Sequence, residues 1–420
     1  MNKIVKYIVI FAAIFIPAAF LWAQTDESQA DLRISPDMEA GQEDAQAGAA
    51  KVTYPSYINL DANCIEMNGD DWSDLAEMLD SASVRRINIV HIGDSHLQAD
   101  MATAVTRTRL GNRYGSAGRA LITPFKLAGT NEPVDYSVKS NVAFEQSRLL
   151  KTPWPTAMGF TGVGIRPRAS QFDLSISAGE PFDSVEIFYT GESLEVIGHE
   201  CSSSRGITSF SLGSASCDVN LRLSSPSTVD IHGFNLIKGK AGVAYHVIGN
   251  NGATYGTYNG IRGFAEDVSR LSPSLIVISL GTNEAFGKVS DSEMKSQMRT
   301  LINSLKVSCP EAHFLLTTPS ECQRRTSRAT RRRKSRTVSY AVNDNVKRLR
   351  NSIIQFGKAE GIPVYDFYAV AGGDGSSAKW LKDGNMNSDR IHLLRPGYTI
   401  QGHLFTDALE EAVDNFRPAL

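Results

Sequence analysis

The chain has 420 residues, 42% of them apolar and 21% charged, and its 43 basic and 45 acidic side chains leave a formal net charge of −2. That apolar content can bury a core of domain size, which excludes a chain disordered throughout, and the length supports two domains. The near-neutral balance offers no whole-surface attraction for nucleic acid.

Lys3 and Lys6 precede an apolar stretch from Tyr7 to Ala23, the pattern of a secretory signal peptide over residues 1–23, so a periplasmic or otherwise exported protein is expected. The stretch is short for a membrane span and Pro17 interrupts it, leaving an uncleaved N-terminal membrane anchor as the alternative. Residues 24–53 read as a flexible acidic linker, with seven acidic side chains between Gln24 and Ala50 and few large apolar ones.

From residue 54 the pattern becomes that of a folded domain. Arg86 to Ile92 is a β-branched apolar run ending at Gly93, which suits a buried parallel strand, and Ala99 to Arg113 has helical spacing. Residues 124–240 change to short alternating runs with Gly, Pro and Ser, among them Phe172–Ile176, Ser184–Tyr189 and Asn220–Leu223. That spacing predicts an inserted β-sandwich or jelly roll with the strand content of a carbohydrate-binding module. Alternating strands and helices return over residues 241–420. Strands are expected at Gly242–Ile248, Ser274–Leu280, His313–Thr318 and Pro363–Phe367, and helices near Ile261–Leu271, Asp291–Ser308, Val338–Glu360 and after Pro396. The first part of this domain, residues 54–123, and the second, 241–420, thus predict an α/β fold, a three-layer flavodoxin-like parallel sheet interrupted by the insertion.

Four short motifs carry chemistry. Gly93-Asp94-Ser95-His96 follows the first strand, Gly249-Asn250-Asn251-Gly252-Ala253 the second and Gly281-Thr282-Asn283-Glu284 the third, while Asp389-Arg390-Ile391-His392 lies near the C-terminus. A serine hydroxyl becomes nucleophilic when a histidine takes its proton, and the histidine needs a carboxylate to fix its tautomer. Ser95, His392 and Asp389 supply those parts, at the strand ends where open α/β sheets place ligands. Asp94 is expected to brace its turn, and His91 and His246, inside strand patterns, to be structural. The eight histidines and five cysteines show no metal-ligand spacing, so no metal and no cofactor is expected. Cys201 and Cys217, flanking a turn-rich segment, are the best disulfide pair, with two buried thiols as the equal alternative.

From Ile87 to the C-terminus, insertion apart, these motifs resemble those of the SGNH (GDSL-type) hydrolases. Within that superfamily the Gly93–Gln98, Gly249–Ala253 and Asp389–Leu393 segments look most like the peptidoglycan O-acetylesterase branch. The resemblance implies catalysis by Ser95, Asp389 and His392, and an oxyanion hole formed by the Ser95 N–H, Gly252 and Asn283. It selects Gly252 over Gly249, and it implies an exported esterase removing O-acetyl groups from peptidoglycan or another surface carbohydrate, with His96 a mark of the branch. Two other readings stay open: an O-acetyltransferase fed by a partner acyl donor, and a non-catalytic glycan-binding protein. Finally, eight of the thirteen residues from Arg324 to Arg336 are basic. Without stacking aromatics nearby this does not read as nucleic-acid binding; a solvated loop or attraction to an anionic envelope polymer remains.

Overall fold

The computed structural model describes residues 52–326 and 338–418. The expected signal peptide, almost all of the acidic linker and most of the Arg324–Arg336 run lie outside these residues.

A six-stranded sheet organises the larger domain, in the order Ile65–Glu66, Val364–Tyr365, His313–Thr317, Pro273–Ser279, Arg86–Gly93, Gly242–Gly249. All pairings are parallel except that of the short edge strand Ile65–Glu66. Taken along the chain, the parallel strands run 2-1-3-4-5, the flavodoxin-like order, confirming the α/β expectation. Burial on both faces explains why Arg86–Gly93 reads as a continuous apolar run: Ile87 and Ile89 pack into one core with the helices Ser73–Asp80, Met101–Tyr114 and Arg395–Asp414. Val90 and Ile92, on the opposite face, pack into a second core with Tyr255–Asn259, Phe264–Ser269, Asp291–Ser308 and Asp344–Glu360. Two separate cores on two sheet faces make the three layers.

The insertion is antiparallel throughout, from Ala120–Ile122 to Asp230–Ile237. Two long strands, Gln171–Thr190 and Ile207–Ser224, pair along most of their length, with irregular register between Ser211 and Asp218. Tyr136–Ser140 adds to one half of Gln171–Thr190 and Asp230–Ile237 to the other. Residues of alternating burial, Phe172, Leu174 and Ile176 among them, close the halves over a core separate from those of the parallel sheet, as a sandwich requires.

Several boundaries differ from the sequence reading. The helix expected over Val338–Glu360 starts at Asp344, and Ser339–Val342 instead pairs with Gln323–Thr326 as a two-stranded ribbon. Asn343 separates the two: its extended backbone donates to the Cys322 carbonyl and its side-chain amide to the Ala285 carbonyl. The helix expected from Ala99 begins at Met101, because Asp100 takes a left-handed φ of 52° and turns its carboxylate to the buried Arg107 and Arg119. Gly263, at φ 74°, divides the helix expected at Ile261–Leu271 from the short one at Tyr255–Asn259 and leaves Phe264–Ser269. All five cysteines are free, and Cys201 is half-buried and Cys217 exposed, not the two buried thiols of the alternative expectation. Ser202 pairs with Ser209, so Cys201 lies on the order of 20 Å along the strand from Cys217, well beyond the reach of a disulfide.

Candidate active site

Three of the four motifs sit on turns at the carboxyl ends of parallel strands, and the fourth, Asp389–His392, lies in the loop between the helices Ser376–Lys382 and Arg395–Asp414. Ser95 follows Arg86–Gly93 at the point where the strand order reverses, the crevice in which such sheets bind ligands. The Asp94 side chain accepts the His96 N–H at 3.0 Å, which fixes the turn and confirms it as a brace. Gly93 is required there, since a Cβ would lie 2.9 Å from the Ser279 carbonyl oxygen.

The structure brings together the three residues set 297 and 3 positions apart in the chain: Ser95 Oγ lies 2.7 Å from His392 Nε2, and His392 Nδ1 lies 2.7 Å from Asp389 Oδ2. The other carboxylate oxygen, Oδ1, accepts the N–H groups of Ile391 and His392 at 2.8 and 3.0 Å. Burial pushes the Asp389 carboxyl up, but the His392 ring and these two N–H donors outweigh it and hold it below the usual carboxylate range. A carboxylate that stays ionised can hold Nδ1 protonated and leave Nε2 free to accept from serine.

Two N–H groups of the motif turns, those of Ser95 and Gly252, donate to no acceptor among the described residues. Gly252 has φ 79°, a backbone suited to glycine, and a Cβ there would meet Leu150 Cδ1 at 2.3 Å. Asn283 Nδ2 donates to the Ala253 carbonyl at 3.0 Å and, at 3.3 Å, to Asp94 Oδ2. The amide is thereby turned toward the Gly249–Ala253 loop and the Asp94–Ser95 turn.

The other histidines divide as expected, with one addition. His91 bonds Tyr245 Oη at 2.7 Å and Ser279 Oγ at 2.6 Å; His246 bonds Asn88 at 3.1 Å; burial pushes both down to about 3, so they stay neutral and structural. His96 stacks beside the His392 ring, centroids 5.1 Å apart, with Nδ1 3.0 Å from Tyr398 Oη. Burial, and then the neighbouring His392, push it down to about 3, so a neutral ring packs against the His392 imidazole.

The insertion reaches this centre directly, which its sequence did not reveal. Gln98 Nε2 donates to the Asn131 carbonyl at 3.0 Å while its Oε1 accepts the Asn251 N–H at 2.7 Å, linking the serine turn, the insertion and the Gly252 loop. Asn250 Nδ2 donates to the Thr161 carbonyl at 3.0 Å, and a side chain at Gly162 would collide with it. Leu150, 52% exposed, leans over Gly252. Gln98, Asn250, Asn251 and Gly252 lie in the motifs, whereas Asn131, Leu150, Thr161 and Gly162 of the insertion carry no sequence signal.

Two buried carboxylates flank the site. Burial raises Asp94 to about 6 and Glu284 to about 7, both favouring the neutral form. A folded-state value above the unfolded one makes the folded state gain protons, so stability is full at low pH and is lost as pH rises through about 4.5 to 7. Glu284→Gln keeps an acceptor for the Tyr255 N–H, which Oε1 now binds at 2.8 Å, and removes the charge. It is expected to raise stability at pH 8 by up to about 3 kcal/mol and to flatten the decline. Thermal unfolding of both proteins from pH 4 to 8 checks this; an unchanged slope would place the decline elsewhere.

No curated protein sequence matches the chain. Residues 234–400, which contain Gly252, Asn283, Asp389 and His392, match the GDSL-like lipase/acylhydrolase family. Among solved structures, a peptidoglycan O-acetylesterase aligns at a TM-score of 0.70 and 19% identity, covering 84% of this chain and 99% of its own. At that identity the likeness establishes the fold. A lipase/acylhydrolase from Enterococcus faecalis aligns at 22% identity over 43% of this chain and 80% of its own, with a TM-score of 0.30. A GDSL-like lipase from Bacteroides thetaiotaomicron aligns at 20% identity over 41% of this chain and 76% of its own, also with a TM-score of 0.30.

Proposed function

We propose that this member of the GDSL-like (SGNH) hydrolase superfamily is an exported serine esterase that removes O-acetyl groups from a cell-envelope carbohydrate, with peptidoglycan as the substrate. The observation that carries the reading is the unbroken relay from Ser95 Oγ through His392 to Asp389, with both contacts at 2.7 Å. A pure binding protein has no use for an aligned nucleophile. Support for the polymer comes from the motifs shared with the O-acetylesterase branch and from a fold likeness to a peptidoglycan O-acetylesterase that spans 84% of the chain.

In the reaction, Ser95 Oγ attacks the acetyl carbonyl carbon while His392 Nε2 takes its proton. The Ser95 and Gly252 N–H groups hold the oxyanion, and Asn283 joins them by exchanging its longer 3.3 Å bond to Asp94 for the developing charge. Collapse breaks the ester bond, and His392 gives its proton to the departing sugar oxygen. Water then attacks the acetyl-serine with His392 as base, releasing acetate and free Ser95.

Loss of one preorganised donor costs about 3 kcal/mol in the transition state, so Asn283→Ala is expected to lower kcat roughly a hundredfold with little change in KM. Steady-state kinetics on a chromogenic acetyl ester checks this, and a change confined to KM would make Asn283 a substrate-binding residue. The function itself is tested by acetate release from O-acetylated peptidoglycan, O-acetyl xylan and the chromogenic ester. Preferred release from peptidoglycan supports the reading; release from the small ester and xylan alone contradicts the polymer. Acetyl groups moved to an added glycan without free acetate indicate a transferase.

A further inference from the structure

Arg390 stands between the catalytic carboxylate and the catalytic imidazole, and its backbone is left-handed, with φ 63°. Non-glycine residues adopt that conformation rarely, and it persists where surrounding contacts over-determine it. Here they do. The Arg390 N–H donates to the Asn387 carbonyl at 2.9 Å, its own carbonyl accepts the Gln323 N–H at 2.9 Å, and Nη1 donates to Gln323 Oε1 at 2.7 Å. Its guanidinium carbon lies 4.0 Å from the centroid of the Tyr340 ring. Gln323 and Tyr340 come from the two arms of the antiparallel ribbon Gln323–Thr326 and Ser339–Val342. The Gln323 end of the ribbon is anchored in turn: Gln323 Nε2 donates to Ser377 Oγ at 3.1 Å, and the Ser377 N–H and hydroxyl both donate to Glu321.

The turn has a chemical consequence. With residue 390 left-handed, the Ile391 and His392 N–H groups both point back to Asp389 Oδ1, which presents Oδ2 to the His392 ring 2.7 Å away. The loop belongs to no strand or helix; at its base the Asn387 N–H donates to the His392 carbonyl at 2.8 Å and Met386 bridges to Leu393, while the Arg390 contacts fix its tip. Arginine suits the task because its planar group can donate to an amide oxygen and stack on an aromatic ring at once.

Resting on the serine-esterase reading, we propose that Arg390 is a positioning residue, clamped by Gln323 and Tyr340, whose grip on the ribbon holds the Asp389–His392 pair in register with Ser95. The ribbon thereby becomes part of the catalytic apparatus.

The test compares Arg390→Gly, Tyr340→Phe and Tyr340→Ala in the full chain. Glycine at 390 relieves the left-handed backbone while removing the clamp, so a role confined to the turn would leave activity intact or improved. The clamp instead predicts a roughly tenfold or larger fall in kcat on a small acetyl ester, with KM nearly unchanged. It also predicts that the acid limb of kcat/KM moves to lower pH, because an imidazole that loses its carboxylate partner is a weaker base. Tyr340→Phe keeps the ring and is expected to retain wild-type kcat, while Tyr340→Ala reproduces part of the arginine loss. Wild-type kcat and pH profile in Arg390→Gly overturn the proposal, as does a fall in kcat with an unmoved acid limb. NMR of ¹⁵N-histidine-labelled protein separates this from the esterase reading. The low-field Nδ1 proton of His392 is expected in the wild type and lost in Arg390→Gly, whether or not any ester is cleaved. Retention of that proton in Arg390→Gly overturns the clamp alone.

Discussion

Ser95→Ala is expected to lower turnover of a small acetyl ester by about 10⁴-fold or more, leaving only the acceleration that binding and the oxyanion donors supply. The fold should survive. The Ser95 hydroxyl makes a single hydrogen bond, to His392, so its loss removes about 1 kcal/mol of a neutral contact from a partly exposed site. Thermal unfolding within a few degrees of the wild type, with activity gone, is the expected pair of results. Retained turnover above about 1% of wild type would assign the nucleophile elsewhere.

Asp389→Asn is expected to cost nearly as much, about 10³- to 10⁴-fold in kcat, and the geometry gives the reason. Asp389 Oδ1 is committed to the Ile391 and His392 N–H groups. An asparagine keeps those two bonds only by placing its carbonyl oxygen there, which turns its NH₂ group toward His392 Nδ1. The ring must then accept at Nδ1 and carry its proton on Nε2, where it faces Ser95 as a donor and cannot act as a base. Because the Asp389 carboxyl is held below the usual range, it stays ionised as pH falls through the neutral and mildly acidic region. The loss in Asp389→Asn should therefore persist at every pH from 6 to 8, as rate profiles of the two proteins would show. Recovery at one end of that range would mean that charge, and not tautomer, is the carboxylate's contribution.

The parts of the site that were readable from sequence are those whose chemistry sits within a few consecutive residues. Gly93-Asp94-Ser95 and Asp389-x-x-His392 are short-range arrangements on turns, and the β-branched run before Gly93 announces a buried parallel strand. The pairing of Ser95 with His392, separated by 297 positions, followed from chemistry, because each is useless without the other. What stayed hidden depends on contacts between ordinary residues far apart in the chain. Nothing about Leu150, Asn131 or Thr161 distinguishes them from surface residues of a β-domain, yet the fold sets them against Gly252, Asn251 and Asn250. The ribbon arm Ser339–Val342 alternates over only four residues, too few to set it apart by pattern from the helix that follows. Its Tyr340 gains meaning only through Arg390, fifty positions later. His96 was likewise without an assigned role until the fold laid it beside the His392 ring.

Covalent catalysis at one serine is the central claim, and the most direct measurement is labelling of the purified protein with a serine-directed phosphonate, followed by peptide mass spectrometry. The relay predicts a single adduct on Ser95, formed in step with loss of esterase activity and strongly slowed in His392→Ala. Complete inactivation with the adduct on another residue, or continued ester hydrolysis by protein fully labelled at Ser95, would contradict it.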